Sequence, residues 1–146
     1  MTRVTAGLSF AGAGLSPDGG IGITLILGIG IDLIENRRVE RELAHGEWRL
    51  GDGVFNPEEI RSCSSVGRPA RRYAACFAAK EAALKALGIS ADDLAIFREV
   101  EVGPDSGSIA LHRRLKNRSE QLGVRHIRLS TSVSRDFTGA MVILEN

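Results

Sequence analysis

The sequence predicts a single domain of the α+β class. The chain has 146 residues, 43% of them hydrophobic, and this size suits one compact core. Strand-like segments lie towards both ends of the chain, and most helix-like segments lie between them. This arrangement favours an α+β domain over a regular alternation of strands and helices.

The first predicted core element is a strand from Ile23 to Ile34. It is rich in β-branched residues and is interrupted by Gly28 and Gly30, which suits a core strand that another backbone or a ligand approaches closely. Asp32 lies near its end. The apolar run from Ile21 to Ile31 is too short for a membrane span, which needs about 20 residues.

Residues 1–22 are rich in glycine and lack the basic cluster and long apolar core of a signal peptide. We expect them to be a flexible extension, and residues 23–146 to form the domain. Cys63 and Cys76 are the only cysteines, too few for a disulfide framework or a zinc site. These features predict a cytoplasmic protein.

Three helices are predicted in the first two thirds of the chain. The segment from Glu35 to Ala44 is amphipathic, with a basic face formed by Arg37, Arg38 and Arg41. A short helix begins after Asn56, because a proline and then a glutamate follow at the positions of a capping box. The longest helix starts at Arg68-Pro69 and is stopped by Gly88.

The rest of the chain predicts two strands joined by a turn at Pro104–Gly107, a helix and a second pair of strands. The helix covers Arg113–Leu122, an alternating pattern continues from Val124, and the last strand covers about Phe137–Leu144. Nineteen basic against eighteen acidic residues give a net charge of +1. This balance does not indicate binding to nucleic acid or to a membrane.

Three side chains form a candidate site. Asp32 alone could be a helix cap, and Glu81 and Lys85, four residues apart, could be an ordinary helix pair. Together they offer two hard oxygen ligands and a cation, which suits Mg²⁺ bound to a phosphate-bearing substrate.

Three motifs resemble those of the holo-acyl-carrier-protein synthases, a family of small 4'-phosphopantetheinyl transferases. Leu27–Leu33 resembles the amino-terminal metal motif of that family, Val54–Ile60 its helix-opening motif, and Phe77–Gly88 its central helix motif. The last match is long and specific. The similarity continues to Leu144.

The resemblance implies an antiparallel sheet packed with helices, a homotrimer, and an Mg²⁺-dependent transfer. The 4'-phosphopantetheine group of coenzyme A would move to a serine of an apo acyl carrier protein, releasing adenosine 3',5'-bisphosphate. Coenzyme A would bind in clefts between subunits. Asp32 of one chain and Glu81 of the partner subunit would bind the metal and act with Lys85 in catalysis.

The resemblance also implies roles for residues around this site. Lys80 and Lys85 would contact the phosphates of coenzyme A, and Phe77 and Ser132 would also bind coenzyme A. Arg72 joins this set on its spacing alone, because it lies one helical turn before Cys76, the position at which the family has a phosphate-contacting arginine. The basic face of the first helix, Arg37, Arg38 and Arg41, would bind an acidic helix of the carrier protein.

Two positions depart from the family pattern. Val133 stands in Ser130–Ser134 where the family has a histidine, and Cys76 stands where it has an arginine that would contact phosphate. His126 cannot replace that histidine, because seven residues along a strand place it on the opposite face. Two alternatives therefore stay open: a degenerate member that binds coenzyme A or carrier protein without efficient transfer, and a purely structural subunit of an oligomer.

Overall fold

The computed structural model describes the backbone of residues 11–15, 21–46 and 53–146, and the side chains of residues 23–46 and 53–146. Within these ranges the strands and helices follow one another along the chain in this order: β1 (Ala11–Leu15), β2 (Ile21–Glu35), α1 (Asn36–Ala44), α2 (Pro57–Ser64), α3 (Pro69–Ala86), the 3-10 helix Leu94–Glu99, β3 (Val100–Val102), β4 (Ile109–Leu111), α4 (Arg113–Gln121), β5 (His126–Val133) and β6 (Phe137–Glu145).

An antiparallel sheet with the order β1-β2-β6-β5 forms one layer, and α3 packs across β2 and β6 as the main element of the other. The strands β3 and β4 form a separate hairpin. This architecture confirms the α+β prediction. The predicted helices and strands are present within a few residues of their expected limits, whereas β1 and the 3-10 helix were not predicted.

Close packing of β2 on α3 depends on two glycines. A Cβ atom at Gly28 would overlap the carbonyl oxygen of Ala86, and one at Gly30 would overlap the carbonyl oxygen of Ala82. The buried face of α3 is correspondingly rich in alanine, which lets the helix backbone lie against the strand. The contact fixes the register of α3 along β2, one helical turn for every two strand residues.

The side of the sheet that faces away from α3 is apolar and exposed. We call it the outer face. Leu33 has 67% of its surface exposed, and Ile31 has 61%. The same face carries other large apolar side chains on the two neighbouring strands: Ile29, Phe137 and Met141.

No helix in the described part of the chain is long and apolar enough to cross a membrane. Ala11–Leu15 pairs with the start of β2, and Ile21 and Gly22 belong to β2 itself, so seven residues of the predicted extension 1–22 are in strands. The other residues before Ile21 lie outside the described residues.

Candidate functional site

Asp32 and Lys85 meet at the junction of β2 and α3. Asp32 lies two residues after Gly30 and therefore on the same side of the strand, facing α3. The ammonium of Lys85 donates to the Asp32 carboxylate at 2.7 Å and to the carbonyl oxygen of Ile31 at 3.1 Å. The Asp32 side chain is 16% exposed and that of Lys85 is 45% exposed. This contact joins Asp32 and Lys85 of the same chain, whereas the resemblance implied that Asp32 acts with Glu81 of the partner subunit.

Glu81 lies one helical turn before Lys85 and is half-buried. It is adjacent to Ala82, against which Gly30 packs, so its backbone lies beside β2. Side chains four apart share a face of a helix, so Glu81 and Lys85 project on the same side of α3. We call Asp32, Glu81 and Lys85 the carboxylate cluster.

The cluster has the donor chemistry that Mg²⁺ requires. No group of three or more His, Cys, Asp or Glu side chains arranged to hold a metal occurs in the ranges that the structure describes. A site with two carboxylates does not need a third such ligand, because Mg²⁺ usually keeps several waters and takes the remaining oxygens from substrate phosphates. The half-exposed position of the cluster leaves room for such a substrate.

Lys80 requires a correction, because the structure gives it a place in the core. Its ammonium is 0% exposed and contacts the Glu59 carboxylate at 2.9 Å. It also donates to the carbonyl oxygens of Phe97, at 2.8 Å, and Val100. A lysine has three N–H donors, and these three acceptors use them all. Lys80 therefore has no donor for a phosphate, and it ties α3 to α2 and β3.

Three arginines line a shallow cleft of about 330 Å³ at the other end of α3. We call it the arginine cleft. The side chains around it come from the start of α3, the β3–β4 turn and the end of β5: Val66, Arg68, Arg71, Arg72, Ala75, Asp105, Ser106, Thr131 and Val133. Such a cluster of guanidinium groups suits a phosphate-bearing ligand, since each can donate two hydrogen bonds to phosphate oxygens.

The cleft brings together Arg72, a predicted residue of the site, and Val133, which stands where the family has a histidine. Arg72 lines it as expected, and the side of β5 that carries Val133 also carries Thr131. Ser132 points to the opposite side, the outer face, where it lies across from Gly139. His126 also lies on that opposite side of β5, as the spacing predicted.

The position of Cys76 explains why it cannot substitute for a phosphate-binding arginine. Its thiol is buried and hydrogen-bonds to Cys63 of α2. That hydrogen bond and burial raise the pKa of Cys76 well above its ordinary value. The same bond, with help from the charge of Arg72, lowers the pKa of Cys63. Cys76 thus belongs to the contact between α2 and α3.

Phe77 also packs towards the core. Its ring stacks on Phe97 with the centroids 5.4 Å apart, and Phe55 lies 6.4 Å away. The structure therefore supports Phe77 as part of an aromatic group that fixes α3, and it leaves part of the ring accessible.

The predicted basic face of α1 is exposed. Arg37 and Arg41 lie on the surface, and Arg38 forms an ion pair with Glu42 at 2.8 Å. Because Glu42 offsets the charge of Arg38, the other two arginines contribute more of the positive potential of this helix.

Arg68 and Arg71 were not identified from the sequence. The signal that could have found them is the basic run at Arg68, Arg71 and Arg72, which begins α3. The cleft itself joins three distant segments, and this could not be read from the local sequence.

A two-carboxylate cluster and an arginine cleft on one α+β domain suit a protein that acts on a phosphate-bearing ligand. The family model described as the 4'-phosphopantetheinyl transferase superfamily matches residues 28–140. The chain belongs to this superfamily.

Named relatives agree with this assignment. The holo-[acyl-carrier-protein] synthase of Geobacter sp. strain M21 is 39% identical over 124 residues, which are 83% of this chain and 99% of the relative. The synthase of Koribacter versatilis is 35% identical over 125 residues, 84% of this chain and 100% of the relative.

Solved structures are similar as well. The holo-[acyl-carrier-protein] synthase from Neisseria meningitidis has a TM-score of 0.70 and 28% identity, covering 83% of this chain and 99% of that one. The synthase from Bacillus anthracis, in complex with CoA (3',5'-ADP), has a TM-score of 0.62 and 31% identity, covering 83% and 97%. These findings confirm the predicted family and the prediction that the chain is an enzyme.

Proposed function

We propose that this chain transfers the 4'-phosphopantetheine group of coenzyme A to a serine of an apo acyl carrier protein. The names of its relatives and the coenzyme A complex of one of them support this substrate pair. The observation that carries the proposal is the Asp32–Lys85 contact at 2.7 Å beside the Glu81 turn of α3. It supports a site at the junction of β2 and α3, with Asp32 and Lys85 in contact and Glu81 one helical turn away.

Asp32 and Glu81 would hold Mg²⁺. A divalent cation held by these two carboxylates would supply positive charge to offset the charge that develops on the phosphates of coenzyme A. Lys85 would donate to the same phosphates and exchange its contact with Asp32 for them. In the reaction the serine oxygen bonds to the phosphorus that carries pantetheine, and the bond from that phosphorus to the departing adenosine 3',5'-bisphosphate breaks. The serine proton would pass to solvent water, because Val133 has no atom that could accept it.

The phosphorylated nucleoside end of coenzyme A would bind in the arginine cleft. Arg68, Arg71 and Arg72 would supply the donors there. Arg72 is the one expected from the sequence, because it lies one helical turn before Cys76. Hydrogen bonds to charged groups contribute about 1.5–3 kcal/mol each. Several arginines can therefore offset the absence of a histidine at position 133 and of an arginine at position 76.

One coenzyme A would bridge two subunits. Arg72 and Glu81 are nine residues apart on α3, about two and a half turns, so they project on opposite sides of the helix about 13 Å apart along its axis. The cleft and the carboxylate cluster of a single chain therefore open in different directions. A cleft of one subunit beside the cluster of the next would join them into one site.

The outer face supplies the surface for such an assembly. Its apolar side chains, exposed by up to 67%, form a contiguous patch across β2 and β6 of the kind that marks an interface between proteins. A homotrimer of this chain would bury it, and would bring Ser132 of each outer face towards the partner subunit.

This geometry supports a division of the site that differs from the one implied by the family resemblance. The contact of Asp32 with Lys85 favours both carboxylates from one chain, with the arginine cleft from the other. Mixed trimers test the division. Combining Asp32→Ala chains with Arg72→Ala chains should restore activity, because some interfaces then contain an intact cluster and an intact cleft. Restoration by Asp32→Ala with Glu81→Ala chains would instead mean that the ligands come from different chains.

The carrier protein would dock on α1 through Arg37, Arg38 and Arg41. Acyl carrier proteins would present an acidic helix, and complementary charge guides such encounters. The near-neutral net charge of the chain makes this local basic face the relevant feature.

A second candidate function is binding of coenzyme A or carrier protein without efficient transfer, and Val133 favours it. Incubation of the protein with apo carrier protein, coenzyme A and Mg²⁺, followed by the intact mass of the carrier, separates the two. We expect conversion of the carrier to its phosphopantetheinyl form. An unmodified carrier, together with measurable binding of coenzyme A, would support the second candidate.

A further inference from the structure

Asn36 is a buried amide at the point where β2 becomes α1. It is 1% exposed, although asparagine is rarely buried so completely. Its side chain does not cap α1. It reaches instead across the sheet to the turn between β5 and β6, about a hundred residues further along the chain.

Every hydrogen bond of the Asn36 side chain goes to the end of β5, the turn or the start of β6. Its Nδ2 donates to the carbonyl oxygens of Ser134, at 3.1 Å, and Arg135, at 3.2 Å. Its Oδ1 accepts from the Thr138 hydroxyl at 2.6 Å. The backbone N–H of Asn36 donates to the carbonyl oxygen of Asp136 at 2.8 Å. Both amide donors are therefore used, and the turn is held at four points.

These partners surround Val133, which lines the arginine cleft. Thr138 lies directly opposite Val133 in the β5–β6 pair, and Ser134 and Arg135 are the two residues that follow Val133. Arg71, another residue of the cleft, donates to the same carbonyl oxygen of Arg135 at 3.4 Å. Asn36 therefore fixes the backbone next to Val133 and the carbonyl oxygen of Arg135 to which Arg71 donates.

We propose that Asn36 is a positioning residue for coenzyme A binding. It fixes the Ser134–Asp136 turn so that Val133 and Arg71 keep the spacing that the phosphorylated nucleoside end of coenzyme A requires. The inference rests on the proposed binding of coenzyme A in the arginine cleft. Asn36 does not touch the ligand, and it acts through the turn.

Calorimetric titration of coenzyme A into the full-length protein tests this role, because it reports the dissociation constant and the fraction of competent sites separately. For Asn36→Leu, which keeps the volume and removes the amide, we expect a dissociation constant about ten-fold higher with an unchanged number of sites. A residue that only stabilises the fold would reduce the number of sites and leave the dissociation constant unchanged. That result would overturn the proposal.

Variants of the partner sharpen the test. Thr138→Val removes the donor to Asn36 and should weaken coenzyme A binding, whereas Thr138→Ser keeps the hydroxyl and should bind as the unaltered protein does. Asn117→Leu, at an exposed asparagine of α4, is the matched control and should have no effect. Equal dissociation constants for Thr138→Val and Thr138→Ser would contradict the proposal.

Arg72→Ala separates this inference from the proposed function. Weaker binding in Arg72→Ala with normal binding in Asn36→Leu would keep the cleft as the coenzyme A site and overturn the role of Asn36. Normal binding in Arg72→Ala would mean that Arg72 does not contact coenzyme A. It would also overturn the proposed binding of coenzyme A in the arginine cleft, on which the role of Asn36 depends.

Discussion

The carboxylate cluster and the arginine cleft differ in how closely they follow the family pattern. The cluster keeps all three expected groups, and two of them, Asp32 and Lys85, are in contact. The cleft has Val133 and, nearby, the buried Cys76 at two positions where the family would have a histidine and an arginine. The proposed function accounts for this difference, because a metal-centred chemical step would tolerate little change, whereas phosphate binding could be rebuilt from other cations such as Arg68 and Arg71.

The largest effect on activity is expected at the cluster. Asp32→Ala and Glu81→Ala should each reduce transfer by about 10³-fold or more, because a metal ion stabilises transition-state charge by several kcal/mol. The intact mass of the carrier over time gives the rate. Both variants should unfold near the temperature of the unaltered protein, since these partly exposed side chains contribute little to the core. Transfer at the normal rate in either variant would remove that residue from the site.

The largest effect on stability is expected at Lys80, the neighbour of Glu81. Removing one partner of a buried ion pair costs about 3–5 kcal/mol, so Lys80→Met should lower the unfolding free energy by about this amount in urea. Arg61→Met, which breaks an exposed pair with Glu58, should cost at most about 0.5 kcal/mol.

Coenzyme A binding separates this core role from a role in the site. At a temperature at which Lys80→Met is folded, its dissociation constant for coenzyme A should equal that of the unaltered protein. Weaker binding of coenzyme A by the folded Lys80→Met variant would indicate that Lys80 contacts the phosphates after all.

Local sequence placed the members of the cluster on their elements, but only the family resemblance predicted that they form one site, because Asp32 and Lys85 are 53 residues apart. The cleft was not predicted. Asp32 follows a glycine-spaced strand, and the four-residue spacing of Glu81 and Lys85 already places them on one side of a helix. Lys80 and Glu81 are neighbours in sequence but differ by about 100° around α3. The Glu59 carboxylate and the carbonyl groups of Phe97 and Val100, brought there by the fold, are the buried acceptors that hold Lys80 inward.

A moderate effect is expected when the missing histidine is restored. Val133 is about half exposed in the cleft, so Val133→His has room for an imidazole. We expect transfer to increase about ten-fold, the worth of one charged hydrogen bond. The gain should grow as the pH falls through neutrality, because the protonated ring binds phosphate best. A folded variant with no gain at any pH would mean that the arginines already complete this site.

The smallest effect is expected on the docking helix. Arg37→Glu should raise the Michaelis constant for carrier protein several-fold and leave that for coenzyme A unchanged, with the larger penalty at low salt, where screening is weak. Arg38→Glu should have less effect, because Glu42 already offsets that charge. Arg125→Glu, on an exposed residue before β5, is the control. Equal changes for both substrates would indicate a disturbed helix.

The central claim is that the cluster binds Mg²⁺ while the cleft binds coenzyme A without it. Titration of coenzyme A with and without Mg²⁺ tests this claim most directly in the unaltered protein, Asp32→Asn and Arg72→Ala. We expect Mg²⁺ to tighten binding in the unaltered protein and in Arg72→Ala, and to have no effect in Asp32→Asn, whose metal-free affinity should be close to normal. An undiminished effect of Mg²⁺ in Asp32→Asn would contradict the claim.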